Sequence, residues 1–215
     1  MDARRTRNPR AALVLAAATV ALLGGPAATR GDASPLDSGA AVVKAGSLVT
    51  SHVVEYRHSM WEHYFVTSDD NEIAILDGGA FGGVWIRTGQ MFDVWSAPGD
   101  GLTPACRFFG VGFSPQTSHF LTPFPDECAA TRNDPRWEFE TIAFYLQLPD
   151  ANGECTDDPV KLFRLYNNFA GGAPNHRYTT SQATVLEMQA AGWTVEGNAA
   201  TGAFACVPQR RATVL

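Results

Sequence analysis

The stretch FRLYNNFAGGAPNHRYTTSQATVLEMQAAGWTVEG, residues 163–197, decides how the chain is read. Phe163-Arg164-Leu165-Tyr166 carries strand-forming aromatic side chains and is closed by the turn former Asn167. His176-Arg177-Tyr178-Thr179 reads as a second short strand. Ser181 is placed to accept hydrogen bonds from the first free amides of a helix, along which Val185, Met188 and Gln189 follow helical spacing. Gly192 can end that helix in a left-handed conformation. Trp193 and Glu196-Gly197 then open a further strand. The order is strand, loop, strand, short helix, Trp, strand.

Working outward, the same order recurs. Cys106-Arg107-Phe108-Phe109-Gly110 matches the first strand, His119-Phe120-Leu121-Thr122 the second, and Trp137 leads into Glu140-Thr141-Ile142-Ala143-Phe144-Tyr145, with a slip in alternation near Thr141 that predicts a bulge. A weaker copy holds Val54-Glu55-Tyr56-Arg57, His63-Tyr64-Phe65-Val66-Thr67-Ser68 and Trp85, with Arg87-Thr88-Gly89 where Glu-Gly is expected. Ser68, like Ser181, is placed to cap a helix. A unit of this size has too little interior to bury its own aromatics, so packing three around a shared core is the expected solution. The expected fold is α+β and β-rich, with three ββαβ-like repeats in pseudo-threefold symmetry; a β-trefoil-like barrel fits the same periodicity. Trp85, Trp137 and Trp193 are then core positions. The expected domain spans 51–208, with repeats at about 51–97, 104–149 and 158–208, a lead-in at 34–50 and a tail at 209–215.

The ends and the charge set the compartment. Arg4, Arg5, Arg7 and Arg10 precede the apolar run Ala11 to Leu23, and small residues follow, so residues 1–33 read as a secretory signal with cleavage between Ala27 and Ala33. The apolar run is too short to span a bilayer. The whole chain of 215 residues has a net charge of −6, and removing the signal, with its five Arg and two Asp, leaves −9. That balance opposes nucleic-acid binding, which needs clustered Lys and Arg. Four cysteines in an exported chain imply disulfides, for which three connectivities exist. Pairing within repeats, Cys106 with Cys128 and Cys155 with Cys206, is the simplest.

The runs CRFFG, SHFLTPFPDEC and WEFETIAFYLQLP, together with residues 163–197, resemble a bacterial extracellular repeat domain of unknown function. The resemblance covers nearly all of residues 52–208. It implies a secreted accessory module, found alone or appended to extracellular hydrolases and supposed to bind cell-wall or other extracellular polymer.

Candidate sites follow from chemistry. Aromatic faces stack on sugar rings while Asn and Arg bond hydroxyl groups, which points to Trp61, Tyr166, Asn167, Asn175, Arg177 and Tyr178 as ligand-binding positions on or beside loops. Trp61 has no counterpart in the other copies. His63, His119 and His176 could converge on a zinc ion with an open fourth position; the alternative is that each holds its own strand–loop junction. Glu140 and Glu196 could be paired as glycosidase carboxylates, but equal slots give similar environments, whereas catalysis needs pKa values pushed apart. No G-x-S-x-G, H-E-x-x-H or phosphate loop is present in the sequence. The expected function is a secreted, non-catalytic module that binds extracellular polysaccharide or peptidoglycan, without a cofactor. A hydrolase with a histidine-based site and a structural or adhesion module are the alternatives.

Overall fold

A computed structural model describes residues 48–157 and 159–210. The signal segment 1–33, most of the lead-in and the end of the tail lie outside the described residues. Strand β1 (Thr50–His58) turns through Trp61 into β2 (Tyr64–Thr67), helix α1 (Asp70–Asp77) and the long strand β3 (Trp85–Trp95). Strands β4 (Leu102–Gly110) and β5 (His119–Thr122) precede helix α2 (Pro125–Arg132) and β6 (Trp137–Gln147). Strands β7 (Val160–Tyr166) and β8 (His176–Thr179) precede helix α3 (Gln182–Ala190), the three-residue β9 (Thr194–Glu196) and β10 (Ala203–Val207).

Local chemistry explains where the helices start. The hydroxyls of Thr67, Thr122 and Thr179, each ending a short strand, accept from the amide two residues on, at 3.0, 3.1 and 3.1 Å. This turn releases the chain from the ladder. Ser181 then caps α3 by accepting from the Thr184 amide, as its position implies. For α1 the cap is Asp69, not Ser68, with Asp69 accepting from the Asn71 and Glu72 amides. Helix α2 begins with Pro125, whose missing N–H is one that a helix start leaves unpaired anyway.

The expected architecture is corrected. The strands form one open antiparallel sheet along the path β2-β1-β3-β6-β10-β7-β8, with β4, β5 and β9 branching from it, rather than three ββαβ-like repeats about an axis or a β-trefoil-like barrel. Strands of nine to eleven residues outrun their hairpin partners. Their spare backbone groups need partners, and they find them across the bridges Trp95↔Tyr145 and Cys206↔Gln147, which merge the strands into one ladder. The C-terminal part also departs from a repeat. Its last strand is broken into β9 and β10, both paired with β7. At the break Gly197 lies so close to the Gly202 and Ala203 backbone that a Cβ would meet it at 2.6–2.8 Å.

Edges of this open sheet are covered by side chains. Asn175, fully buried, accepts from the Tyr64 amide at 2.7 Å and donates to the Tyr64 carbonyl at 3.0 Å, standing in for a strand beside β2. The Tyr178 hydroxyl likewise accepts from the Leu121 amide and donates to the Leu121 carbonyl, both at 2.9 Å, beside β5. Unpaired edges invite association, and each of these side chains occupies one position along such an edge.

The core is a central cluster including Val53, Val94, Leu146, Leu162 and Phe204, with a smaller apolar cluster under each helix. Trp85, Trp137 and Trp193 are half-buried against these smaller clusters, not within the central one. Disulfides join Cys106 of β4 to Cys128 of α2 and Cys155 to Cys206 of β10, the pairing favoured by the sequence.

Candidate functional site

A mainly apolar groove of about 600 Å³ opens between α1 and the β5–β6 region. It is lined by Phe65, Leu76, Trp85, Phe109 and His119. Also lining it is Trp61. The β1–β2 turn holds it there: the buried His58 Nδ1 accepts from the Met60 and Trp61 amides, both at 3.3 Å, and the Trp61 ring stacks on the His58 ring at 3.8 Å and 5°. His58 in turn meets Trp85 edge-on at 5.0 Å. Burial, followed by the neighbouring His63, lowers the His58 pKa and keeps the imidazole neutral.

The rim carries Met60, Ile75 and Phe81, which are 69%, 52% and 73% exposed. Phe81 sits in the run Gly78-Gly79-Ala80-Phe81-Gly82-Gly83 with φ 56° and ψ 29°. Left-handed backbone costs an L-residue roughly 1–2 kcal/mol. Here it holds a phenyl ring out in solvent with no packing to show for it. Strain of this kind persists where function uses it.

One end of the groove is polar. Arg107 donates to both Glu72 oxygens at 2.7 and 2.8 Å and, through Nε, to Glu140 Oε2 at 2.8 Å. His119 Nε2 lies 3.5 Å from the same Glu140 oxygen. Glu140 reaches this position because it is the extra residue of a bulge: Arg107 pairs with Thr141 and Phe108 with Phe139, so Glu140 has no partner across the ladder. Burial pushes the Glu140 pKa up, but the His119 hydrogen bond and the His119 and Arg107 charges outweigh it and hold the carboxyl below its ordinary value. The Glu72 and Glu140 carboxylates and the His119 ring thus line an aromatic groove with hydrogen-bonding capacity for hydroxyl groups.

The sequence-derived candidates divide sharply. Trp61 lines this groove, and Tyr166 lines a different one. Asn167 is buried in its own loop, donating to the Ala170 and Ala173 carbonyls. Asn175 and Tyr178 cover strand edges. Arg177 is buried on Glu55, with contacts of 2.9 and 3.0 Å, and lies over the Tyr64 ring at 4.1 Å.

The histidine cluster does not form. His119 and His176 each begin a strand, but His63 precedes β2, where Tyr64 holds the first position. His63 Nδ1 is 2.7 Å from the Thr117 carbonyl, and His176 Nε2 is 3.2 Å from Glu196. Among the described residues no three His, Cys, Asp or Glu side chains are grouped to hold a metal ion. Glu140 and Glu196 are likewise separated, one in each groove. Sequence reading missed Phe81, Phe109, Glu72 and Arg107. For Phe81 the signal was legible: an aromatic flanked by glycine pairs is a ring on display. For the ion cluster there was none, since β4, β6 and α1 meet only in the folded chain.

A family model described as a domain of unknown function, DUF5648, matches residues 53–203. No curated protein and no solved structure matches the chain.

Proposed function

The chain belongs to the family of that domain of unknown function, and from this premise we propose that it is a secreted, non-catalytic module that holds an extracellular carbohydrate or cell-wall polymer in the groove between Trp61 and Phe109. The observation that carries the reading is Phe81, an exposed ring kept at the groove rim in a strained backbone. A sugar ring lays its C–H face on Trp61, Phe81 and Phe109, and its hydroxyls face Glu72, Glu140 and His119. Binding is favoured over glycoside hydrolysis because a catalytic acid needs a raised pKa. Glu140, pressed by burial but held by His119 and Arg107, has the opposite. Export is supported by the charged-then-apolar leader of residues 1–33 and by two disulfides, which persist in oxidising compartments.

The test is retention of the purified protein on insoluble peptidoglycan and on insoluble polysaccharides. Saturable retention is expected, and Trp61→Ala should weaken it at least tenfold, the loss typical of an aromatic anchor. Retention on none of these polymers refutes the reading. So does retention that Trp61→Ala leaves unchanged while the variant keeps its native circular dichroism.

A further inference from the structure

We propose that a second groove, between α2 and the β8–β9 region, binds the same class of ligand, so that one chain engages two segments of a polymer. The inference rests on the reading of the first groove and adds a separate site with no lining residue in common. This groove has a volume of about 420 Å³ and is lined by Phe113, Phe120, Trp137 and Tyr166. Phe113 meets Trp137 at 5.1 Å, and Tyr166 stacks on His176 at 4.9 Å and 19°.

Two features of the first groove recur here. The polar end brings together the same four kinds of group at similar distances, although Arg164 Nε and Glu196 Oε2, unlike Arg107 Nε and Glu140 Oε2, make no hydrogen bond. Arg164 donates to both Glu127 oxygens of the helix at 2.8 and 3.0 Å, and its Nε lies 2.9 Å from Glu196 Oε2. His176 Nε2 lies 3.2 Å from that same oxygen. These contacts parallel Arg107 with Glu72, Glu140 and His119. The rim also carries a displayed ring: Phe169 has φ 63° and ψ 19°, is 45% exposed, and stands in Asn167-Asn168-Phe169-Ala170-Gly171-Gly172. Paying for left-handed backbone twice, each time to hold a phenyl ring at the mouth of an aromatic groove, points to one use at both places. His176 adds unspent capacity. Its side chain is 8% exposed, and its Nδ1 has no hydrogen-bond partner.

The corresponding junction between α3 and β2 lacks the set. There Glu55 is bonded by Thr88 and Arg177, and Tyr64 rather than a histidine opens β2. Two sites on one body raise the apparent affinity for a polymer by 10²–10⁴ when both engage the same strand, and add nothing for a fragment that fills only one.

Calorimetric titration of the mature protein with soluble glycan fragments released from peptidoglycan by a muramidase reads the number of sites. Two per chain are expected. Tyr166→Ala combined with Phe169→Gly should leave one site, removed in turn by Trp61→Ala. On intact peptidoglycan the Tyr166/Phe169 variant should lose at least tenfold in retention. A single site in the native protein, unaffected by the Tyr166/Phe169 variant but lost in Trp61→Ala, overturns the second groove and leaves the first reading standing. No binding of these fragments by the native protein overturns the second groove, and the first reading falls with it only if the insoluble polysaccharides also fail to retain the protein.

Discussion

Phe81 holds a backbone conformation that suits glycine better than phenylalanine, and its ring is three-quarters exposed. A residue kept for stability has its side chain buried or bonded, and Phe81 has neither. Phe81→Gly relieves the left-handed strain but adds freedom to the unfolded chain. Stability should therefore stay level or rise by up to about 1 kcal/mol, while retention on the polymer that binds the native protein falls severalfold. Thermal melting and a retention assay on the same preparation check both halves. A drop of several degrees in melting temperature would instead make the ring structural. The flanking glycine pairs were visible in the sequence, as was Trp61 in a loop without counterparts. The burial of Arg177 was not, because its carboxylate partner Glu55 lies 122 residues away.

Among the elements, the β8 segment does the work of a strand through side chains. Asn175 serves the Tyr64 amide and carbonyl and also donates to Ser118 Oγ at 3.3 Å. Asn175→Ala leaves the Tyr64 amide and carbonyl buried without partners, at a cost of about 2–3 kcal/mol. Asn175→Asp keeps the acceptor but sets a carboxylate against the Tyr64 carbonyl, so it should not rescue the loss. Chemical denaturation of the two variants tests this; native-like stability in Asn175→Ala would mean that the β2 edge is solvated. The segments His119-Phe120-Leu121-Thr122 and His176-Arg177-Tyr178-Thr179 are strands as read, and each ends at a threonine whose hydroxyl acts within two residues. Opening each strand at its histidine misaligned His63, one residue early, because histidine and tyrosine can both open such a strand and only the ladder counts residues.

For the whole molecule, three buried imidazoles set the response to acid. Burial lowers the pKa of His63 against the opposing Thr117 contact, lowers that of His58 with help from His63, and lowers that of His176 despite Glu196. A histidine whose folded pKa lies below its unfolded value near 6.5 binds its proton more readily when unfolded. Stability is therefore full above about pH 6.5 and declines as pH falls through that value toward the folded pKa values. A second decline belongs below about pH 4.5, where Glu140 and Glu196 become protonated; burial raises both, but the nearby His119 and His176 rings and the arginine charges hold them lower. Melting temperatures between pH 8 and pH 4 should show the first loss beginning near pH 6.5, and a flat profile down to pH 5 would contradict neutral burial of these rings. The disulfides, closing separations of 22 and 51 residues, add roughly 3–4 kcal/mol each through the entropy of the unfolded chain.

Local order was determined by the sequence itself: strand, strand, helix and strand in turn, the cap at Ser181 and the bulge near Thr141, with the observed cysteine pairing the simplest of three. Each depends on residues close along the chain, or on which of a few partners is nearest. Only the tertiary structure decided that the strands fuse into one open sheet, that Asn175 and Tyr178 cover its edges, and that Arg107 and Arg164 gather carboxylates at the ends of two aromatic grooves. Backbone groups and buried charges take whichever partner the packing brings within about 3 Å, and that proximity is a property of the folded body which no spacing along the chain encodes.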